Sequence, residues 1–117
     1  MKTDSIKSKS FEFSLRAIGL YKILLKNREF ILSKQFLRSA TSIGANVNEA
    51  TAAISYREFT AKMSIASKEA RESLYWIELL DAGNLVTCDL KEIKADNKQI
   101  VKILTSIVKT CQKKLNT

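Results

Sequence analysis

Residues 33–54 read SKQFLRSATSIGANVNEATAAI, and the pattern of apolar residues in this stretch decides the fold. The apolar positions are spaced alternately by four and three residues, at Phe36, Ala40, Ile43, Val47, Ala50 and Ile54. This spacing is typical of a helix that packs nearly parallel or antiparallel to its partners. Ser33 precedes the pattern, and serine is a common N-cap residue. We therefore predict a helix over about residues 34–54, capped by Ser33.

Ser55 starts a second helix signal, because Glu58 follows it at the spacing of a capping box. Apolar and small residues then repeat at the same spacing, at Phe59, Met63, Ala66, Ala70, Ser73, Ile77 and Leu80. Gly83 and Asn84 are typical of a helix C-terminus. A helix over about residues 56–82 is therefore predicted to follow the first one almost directly.

Helical periodicity on both sides of this pair predicts helices over about residues 11–27 and 89–115, the latter capped by Thr87 or Asp89. Apolar side chains cover more than half of the first of these, whereas an ordinary surface helix has a stripe of about 100°. We expect that helix to contact more than one neighbouring surface. Short connections favour antiparallel neighbours, so the sequence predicts an all-α, antiparallel up-down-up-down four-helix bundle that forms one domain over residues 1–117.

The composition argues against several classes of function. The 117 residues contain no histidine, the commonest general base and metal ligand, and only two cysteines, too few for a thiolate zinc site. No glycine-rich phosphate loop is present either. We therefore expect no enzymatic activity, no metal and no cofactor. The lack of a long apolar run and the low cysteine content favour a reduced, cytoplasmic protein with no membrane partner.

The net charge of +8 is concentrated at the two ends of the chain. Residues 1–32 and residues 84–117 each carry +4, whereas residues 33–83 are neutral overall. A polyanion such as nucleic acid is the usual partner of so basic a protein, and solubility alone is the alternative explanation.

Basic residues of the first and last helices are expected to share one side of the bundle, because these two helices are neighbours in the predicted topology. The candidate nucleic-acid-binding residues are Lys91, Lys94, Lys98, Lys102, Lys109 and Lys113, with Arg16, Lys22 and Lys26. Lysine suits sequence-independent contact with phosphates. Few aromatic residues accompany them, so stacking on bases is not expected. The alternative is a solvated face without a ligand.

Polar residues also recur at helical spacing on the second and third helices. They are predicted to form a structural or interface network of ion pairs and hydrogen bonds, made by Arg38, Ser42, Asn46, Glu49, Lys62, Glu69, Glu72 and Trp76. Such a network fixes the register between helices or subunits. Contact with a ligand or nucleic acid is one alternative. Catalysis by paired carboxylates is another, but a di-iron site of the bundle type also needs histidine.

Two stretches, SKQFLRSATSIGANVNEA and EFTAKMSIASKEARESLYWIELL, resemble the bacterial four-helix-bundle family of 23S rRNA intervening-sequence proteins. The opening SFEFSLRAIGLYK also fits, so the resemblance covers roughly residues 11–80, and the last helix matches only in pattern. The residues that match the family's motifs are Arg38, Ser39, Thr41, Ser42, Ile43, Gly44, Asn46, Glu49, Ala50, Lys62, Glu69, Ala70, Tyr75 and Trp76.

The resemblance implies an antiparallel four-helix bundle that assembles into a ring-like homopentamer. Family members are encoded within intervening sequences of large-subunit rRNA genes or stand alone in genomes, and they have no established catalytic function. A related protein, the accessory variability determinant of diversity-generating retroelements, is a basic pentamer that binds nucleic acid and a reverse transcriptase.

We therefore predict a non-enzymatic oligomer, a homopentamer by the resemblance, that binds RNA or DNA through its basic surface without sequence specificity and is linked to rRNA intervening sequences. The alternative function is a protein–protein interaction scaffold with no nucleic-acid role. The salt dependence of binding distinguishes the two functions, because contacts with phosphates weaken steeply as the salt concentration rises and apolar protein interfaces do not.

Overall fold

The computed structural model describes residues 3–117 and contains four α-helices and no strand within that range. They are α1 (Thr3–Lys26), α2 (Leu32–Ala50), α3 (Tyr56–Ala82) and α4 (Lys91–Leu115). Each helix packs on its neighbours in the chain, and α1 also packs on α4, in the least extensive of the four interfaces. The result is an elongated bundle of 49 × 22 × 21 Å. Met1 and Lys2, which the predicted domain includes, lie outside the described residues.

The core of the bundle is formed by the apolar stripes of all four helices. Phe13, Phe36, Met63 and Leu104 are among its largest fully buried side chains, one from each helix. Where α1 crosses α2, the backbones approach closely, because a Cβ atom on Gly44 would lie 3.3 Å from the carbonyl oxygen of Ser10. Close packing explains why a helix interior carries a glycine, which costs about 1 kcal/mol relative to alanine.

Helix α1 begins eight residues before the predicted start at Phe11. The additional turns are helical because Ile6, seven residues before Phe13, lies on the same side of the helix and is fully buried. Ser10 is buried on that side as well. The prediction was short because Ile6 stands alone among lysines and serines, so the segment has almost no apolar periodicity.

Helix α2 differs from its prediction at both ends. Ser33 is a buried residue inside the helix, so its prediction as the N-cap was wrong. The Glu29 carboxylate takes that role by accepting hydrogen bonds from the backbone N–H groups of Ile31, Leu32 and Ser33 at 3.2, 3.1 and 2.6 Å. The helix ends at Ala50, four residues before Ile54, which is almost entirely exposed.

The ends of the other helices follow local hydrogen-bonding signals. Ser55 caps α3, since its hydroxyl oxygen accepts a hydrogen bond from the Glu58 N–H at 3.0 Å. The Asp89 carboxylate accepts the Lys91 N–H at 2.9 Å at the start of α4. After α3, Asn84 rather than Gly83 adopts the left-handed conformation, with φ of 53°. Arg28 does the same after α1, with φ of 63°.

No helix among residues 3–117 has the length and hydrophobicity needed to cross a membrane.

Gly19 and Gly44 provide a matched test of the close approach between α1 and α2. A Cβ atom at Gly19 meets nothing within 4 Å. Gly19→Ala is therefore expected to raise the free energy of unfolding by about 1 kcal/mol, the difference in helix propensity. Gly44→Ala gains the same propensity but pushes against Ser10, so we expect little or no gain. Thermal melts of the two variants measure this difference, and equal stabilisation would contradict the close contact.

Candidate nucleic-acid interface

The lysines of α4 are turned to solvent because the opposite side of the helix is buried in the core. Ile93, Ile100, Leu104, Ile107 and Cys111 are buried there. At 100° per residue, the lysine side chains point about 180° away from this apolar stripe.

Five of the six predicted α4 lysines form a straight, exposed row, which we call the lysine face: Lys91, Lys98, Lys102, Lys109 and Lys113. At 1.5 Å per residue, the row is about 33 Å long. None of the five takes part in an ion pair within the described residues. Their charges are therefore available to an external polyanion.

Lys94, the sixth predicted lysine, is turned toward α3. It is half-buried, and its ammonium lies 3.9 Å from the Asp81 carboxylate. Six residues therefore separate Lys91 from Lys98 in the row, as between Lys102 and Lys109, and Lys94 does not belong to the lysine face.

The predicted contribution of α1 to the same surface is smaller than expected. Arg16 reaches α4, but it forms an ion pair with Asp96, so its charge is compensated. Lys22 and Lys26 are exposed on the outer side of α1 and make no ion pair in the described chain. By their helical phase, these two lysines point about 80–120° away from Arg16, so they do not extend the row on α4.

A buried amide between α3 and α4 contributes to the register of the helix that carries the lysine face. Asn97 is fully buried, and its side-chain NH₂ donates to the Ala70 carbonyl at 2.9 Å. The Ser73 hydroxyl donates to the Asn97 side-chain oxygen at 2.7 Å. A buried polar group left unpaired is costly, so these bonds favour one register of α4 against α3.

The sequence analysis did not predict the pairing of Asn97 with Ser73, although the sequence contains a signal for it. Asn97 falls four residues after Ile93 and three before Ile100, at a position where the apolar period of α4 requires a core residue. A lone asparagine in such a position is known to specify helix register.

The polar residues predicted as a network on α2 and α3 are partly brought together. Arg38 of α2 forms ion pairs with Glu69, at 3.1 Å, and with Glu72 of α3. The Trp76 indole N–H donates to Glu72 at 3.0 Å. The hydrogen bonds from Trp76 and Arg38 lower the pKa of Glu72 below its usual value, because they stabilise the ionised carboxylate. This cluster lies at the surface, since Arg38 is half-exposed.

A second ion pair between these helices joins Lys62 and Glu49 at 2.7 Å and raises the pKa of the lysine. Asn46 does not reach α3, because its side chain donates to the Ser42 carbonyl within α2 at 2.8 Å. Ser42 and Asn46 are therefore separate from the ion pairs between α2 and α3. Within residues 3–117, no cluster of three or more acidic or cysteine side chains is arranged to hold a metal ion.

Comparison with known proteins identifies relatives. The family model described as 23S rRNA-intervening sequence protein matches residues 2–106. A crystal structure from Bacteroides thetaiotaomicron, of a protein with unknown function from the S23 ribosomal protein family, is 47% identical with a TM-score of 0.88. The match covers 93% of this chain and 99% of that chain. No curated protein matches the sequence.

We expect the stability of the fold to depend on pH through Glu72. A carboxylate whose pKa is lowered on folding stabilises the native state above its unfolded pKa, about 4.3 for glutamate, and this contribution is lost as the pH falls through the lowered value. Glu72→Gln should therefore flatten the acid limb of a plot of unfolding free energy against pH. Glu78→Gln, an exposed glutamate on the same helix, is the control. Equal acid limbs for wild type and Glu72→Gln would contradict the role of the cluster.

Asn97→Ala is expected to lower the free energy of unfolding by about 1–3 kcal/mol, because the buried Ser73 hydroxyl loses its partner. Removing both partners in Ser73→Ala/Asn97→Leu should recover most of this loss. Urea unfolding of the single and double variants measures the effect, with Ser106→Ala, at an exposed position on the same helix, as the control. A double variant as unstable as Asn97→Ala would show that the polar pairing is not the cause.

Proposed function

The chain belongs to the family of 23S rRNA-intervening sequence proteins, and from that premise we propose that it is a non-enzymatic oligomer that binds RNA or DNA through the lysine face. The observation that carries the proposal is the row of five exposed lysines on α4, about 33 Å long, none of which forms an ion pair among the residues that the structure describes. A row of this length is comparable to one turn of a DNA duplex, about 34–36 Å.

The proposed contact is electrostatic and independent of sequence. Lysine offers a mobile point charge that suits phosphate oxygens rather than base edges. On α4 the lysine face is accompanied by one exposed acid, Glu92, because the other acid of the helix, Asp96, is paired with Arg16. The lysine face therefore presents a field of mainly one sign, which steers a polyanion toward it.

We further propose that the helices run up-down-up-down. On α2 and α3, Arg38 pairs with Glu69 whereas Glu49 pairs with Lys62, so the residue number rises along one helix as it falls along the other. On α1 and α4, Lys9 bonds Gln99 whereas Arg16 pairs with Asp96, with the same reversal. These pairs support an antiparallel arrangement.

Self-association as a ring-like homopentamer, located in the cytoplasm, is part of the proposal. It rests on the family resemblance and on the wide apolar arc of α1. Five copies would bring the net charge to about +40, which strengthens attraction to nucleic acid. The exposed apolar side chains of α1 and α3 favour a second candidate function, an interaction scaffold for another protein.

Neutralising the lysine face separates these two functions. The triple variant Lys98→Gln/Lys102→Gln/Lys109→Gln should weaken binding to a generic DNA duplex and reduce the slope of log K against log salt by about 0.9 for each phosphate that no longer binds a lysine. Titrations of a labelled duplex and of a labelled single-stranded RNA between about 50 and 200 mM salt measure both quantities.

The matched control is Lys34→Gln/Arg57→Gln/Lys68→Gln, which removes the same charge from exposed positions on α2 and α3. If both triple variants show the same decrease in affinity and slope, net charge rather than the lysine face is responsible. If wild type binds neither nucleic acid at low salt, the scaffold function is favoured.

A further inference from the structure

Arg71 of α3 is a basic residue that the sequence does not single out as a nucleic-acid contact. Its side chain is exposed and extends to α4, where the guanidinium Nη2 donates a hydrogen bond to the Thr105 hydroxyl oxygen at 2.8 Å. Thr105 itself is half-buried. This hydrogen bond holds a positive charge from α3 against the helix that carries the lysine face.

Thr105 lies within one of the two wide intervals of the lysine face, between Lys102 and Lys109, which are about 10 Å apart along the helix axis. It is three residues after the first lysine and four before the second, at the spacing of neighbouring side chains on a helix surface. By its helical phase it is about 40–60° from both lysines, on the side of α3. The guanidinium of Arg71 therefore places an additional charge in this interval, about 4–6 Å along the axis from each lysine.

The other wide interval, between Lys91 and Lys98, is occupied differently. Lys94 lies within it, but the Asp81 carboxylate is 3.9 Å from its ammonium and compensates the charge. Uncompensated positive charge is therefore most closely spaced on the C-terminal part of α4, where Arg71 joins the lysines.

Arg71 forms no ion pair among residues 3–117. Helix α4 carries no acidic residue after Asp96, nine positions before Thr105. On α3, Glu69 and Glu72 pair with a residue of α2, and the next acid lies seven residues after Arg71, about 10 Å along the axis. A guanidinium held beside lysines without a counter-ion repels them, and a bound anion relieves this repulsion.

The chemistry of the guanidinium suits a phosphate. Its five N–H donors form a planar fork, and the bond to Thr105 uses one of them. The remaining donors can bind two oxygens of one phosphate, whereas a lysine ammonium acts as a point charge. Because Thr105 already restrains the side chain of Arg71, less conformational freedom is lost when a ligand binds.

We propose that Arg71 is a phosphate-binding residue of the nucleic-acid interface and that Thr105 positions it. This inference rests on the proposed function, because it adds a residue of α3 to the surface formed by the lysine face. The interface then consists of two helices, and Lys102, Arg71 and Lys109 bind successive parts of one nucleic-acid backbone.

Replacement of Arg71 tests the contact in the duplex titration. Arg71→Gln should reduce the slope of log K against log salt by about 0.9, as Lys102→Gln should, because each removes one phosphate contact. Arg71→Lys keeps the charge, so it should restore most of the slope but bind less tightly than wild type, since the fork is lost. Lys34→Gln is the control, because α2 does not pack on α4 and the same charge is removed far from the interface. An equal change in slope for Lys34→Gln and Arg71→Gln would overturn the proposal.

Thr105→Val tests the positioning, because it removes the hydroxyl and leaves the charge of Arg71. It should weaken duplex binding in the wild-type background and have no effect in the Arg71→Gln background, where no guanidinium remains to be positioned. Equal weakening in both backgrounds would show that Thr105 does not act through Arg71.

Urea unfolding of the same variants separates binding from a purely structural role. If Arg71→Gln and Thr105→Val lower the stability but bind the duplex as wild type does, the hydrogen bond only joins the two helices and the proposal is wrong. Weaker binding by the triple variant of the lysine face would then still support the proposed function. A wild type that binds neither the duplex nor the single-stranded RNA overturns both.

Discussion

Asn97 is buried between α3 and α4, and its hydrogen bonds constrain the helix that carries the lysine face. A buried amide must find partners, and Asn97 finds them in the Ser73 hydroxyl and the Ala70 carbonyl. A rotation of α4 that kept Asn97 buried without these partners would be costly. The buried apolar stripe of α4 turns the five lysines to solvent, and the polar pairing of Asn97 adds a preference for one register of α4 against α3, which apolar packing alone specifies less strictly.

Charge compensation determines which basic residues remain available at the surface. Arg16 and Lys94 belong to the same sequence pattern as the other candidates, yet Asp96 and Asp81 compensate them at the seams between helices. The sequence predicts the set of basic residues, but it does not show which acidic groups approach them from other helices. Contacts between helices therefore reduce the broad basic patch predicted from the sequence to the lysine face of α4. The proposed nucleic-acid-binding surface is smaller and better defined as a result.

Features that depend on residues close together in the sequence were predictable, whereas features that depend on contacts between helices were not. The cap at Ser55 involves two residues three positions apart, so the sequence alone sufficed to predict it. Ser33 carries the same type of signal, but the Glu29 carboxylate in the preceding connection accepts the N–H groups of Ile31, Leu32 and Ser33, so the helix begins earlier and Ser33 lies inside it. The start of α1 depends on the burial of Ile6 by other helices, which no periodicity in that segment indicates. Similarly, the partner of Asn97 lies 24 residues away at Ser73, and only the packing of α3 on α4 identifies it.

The interface between α1 and α4 is the least extensive of the four, and it alone joins the two ends of the chain. The other three interfaces join helices that follow one another directly. Mostly local contacts favour fast folding, within microseconds to milliseconds for helical bundles. We therefore expect α2 and α3 to associate early and α1 to close on α4 last. Transient opening of the native state should follow the reverse order, so hydrogen exchange should be fastest along the seam between the two terminal helices.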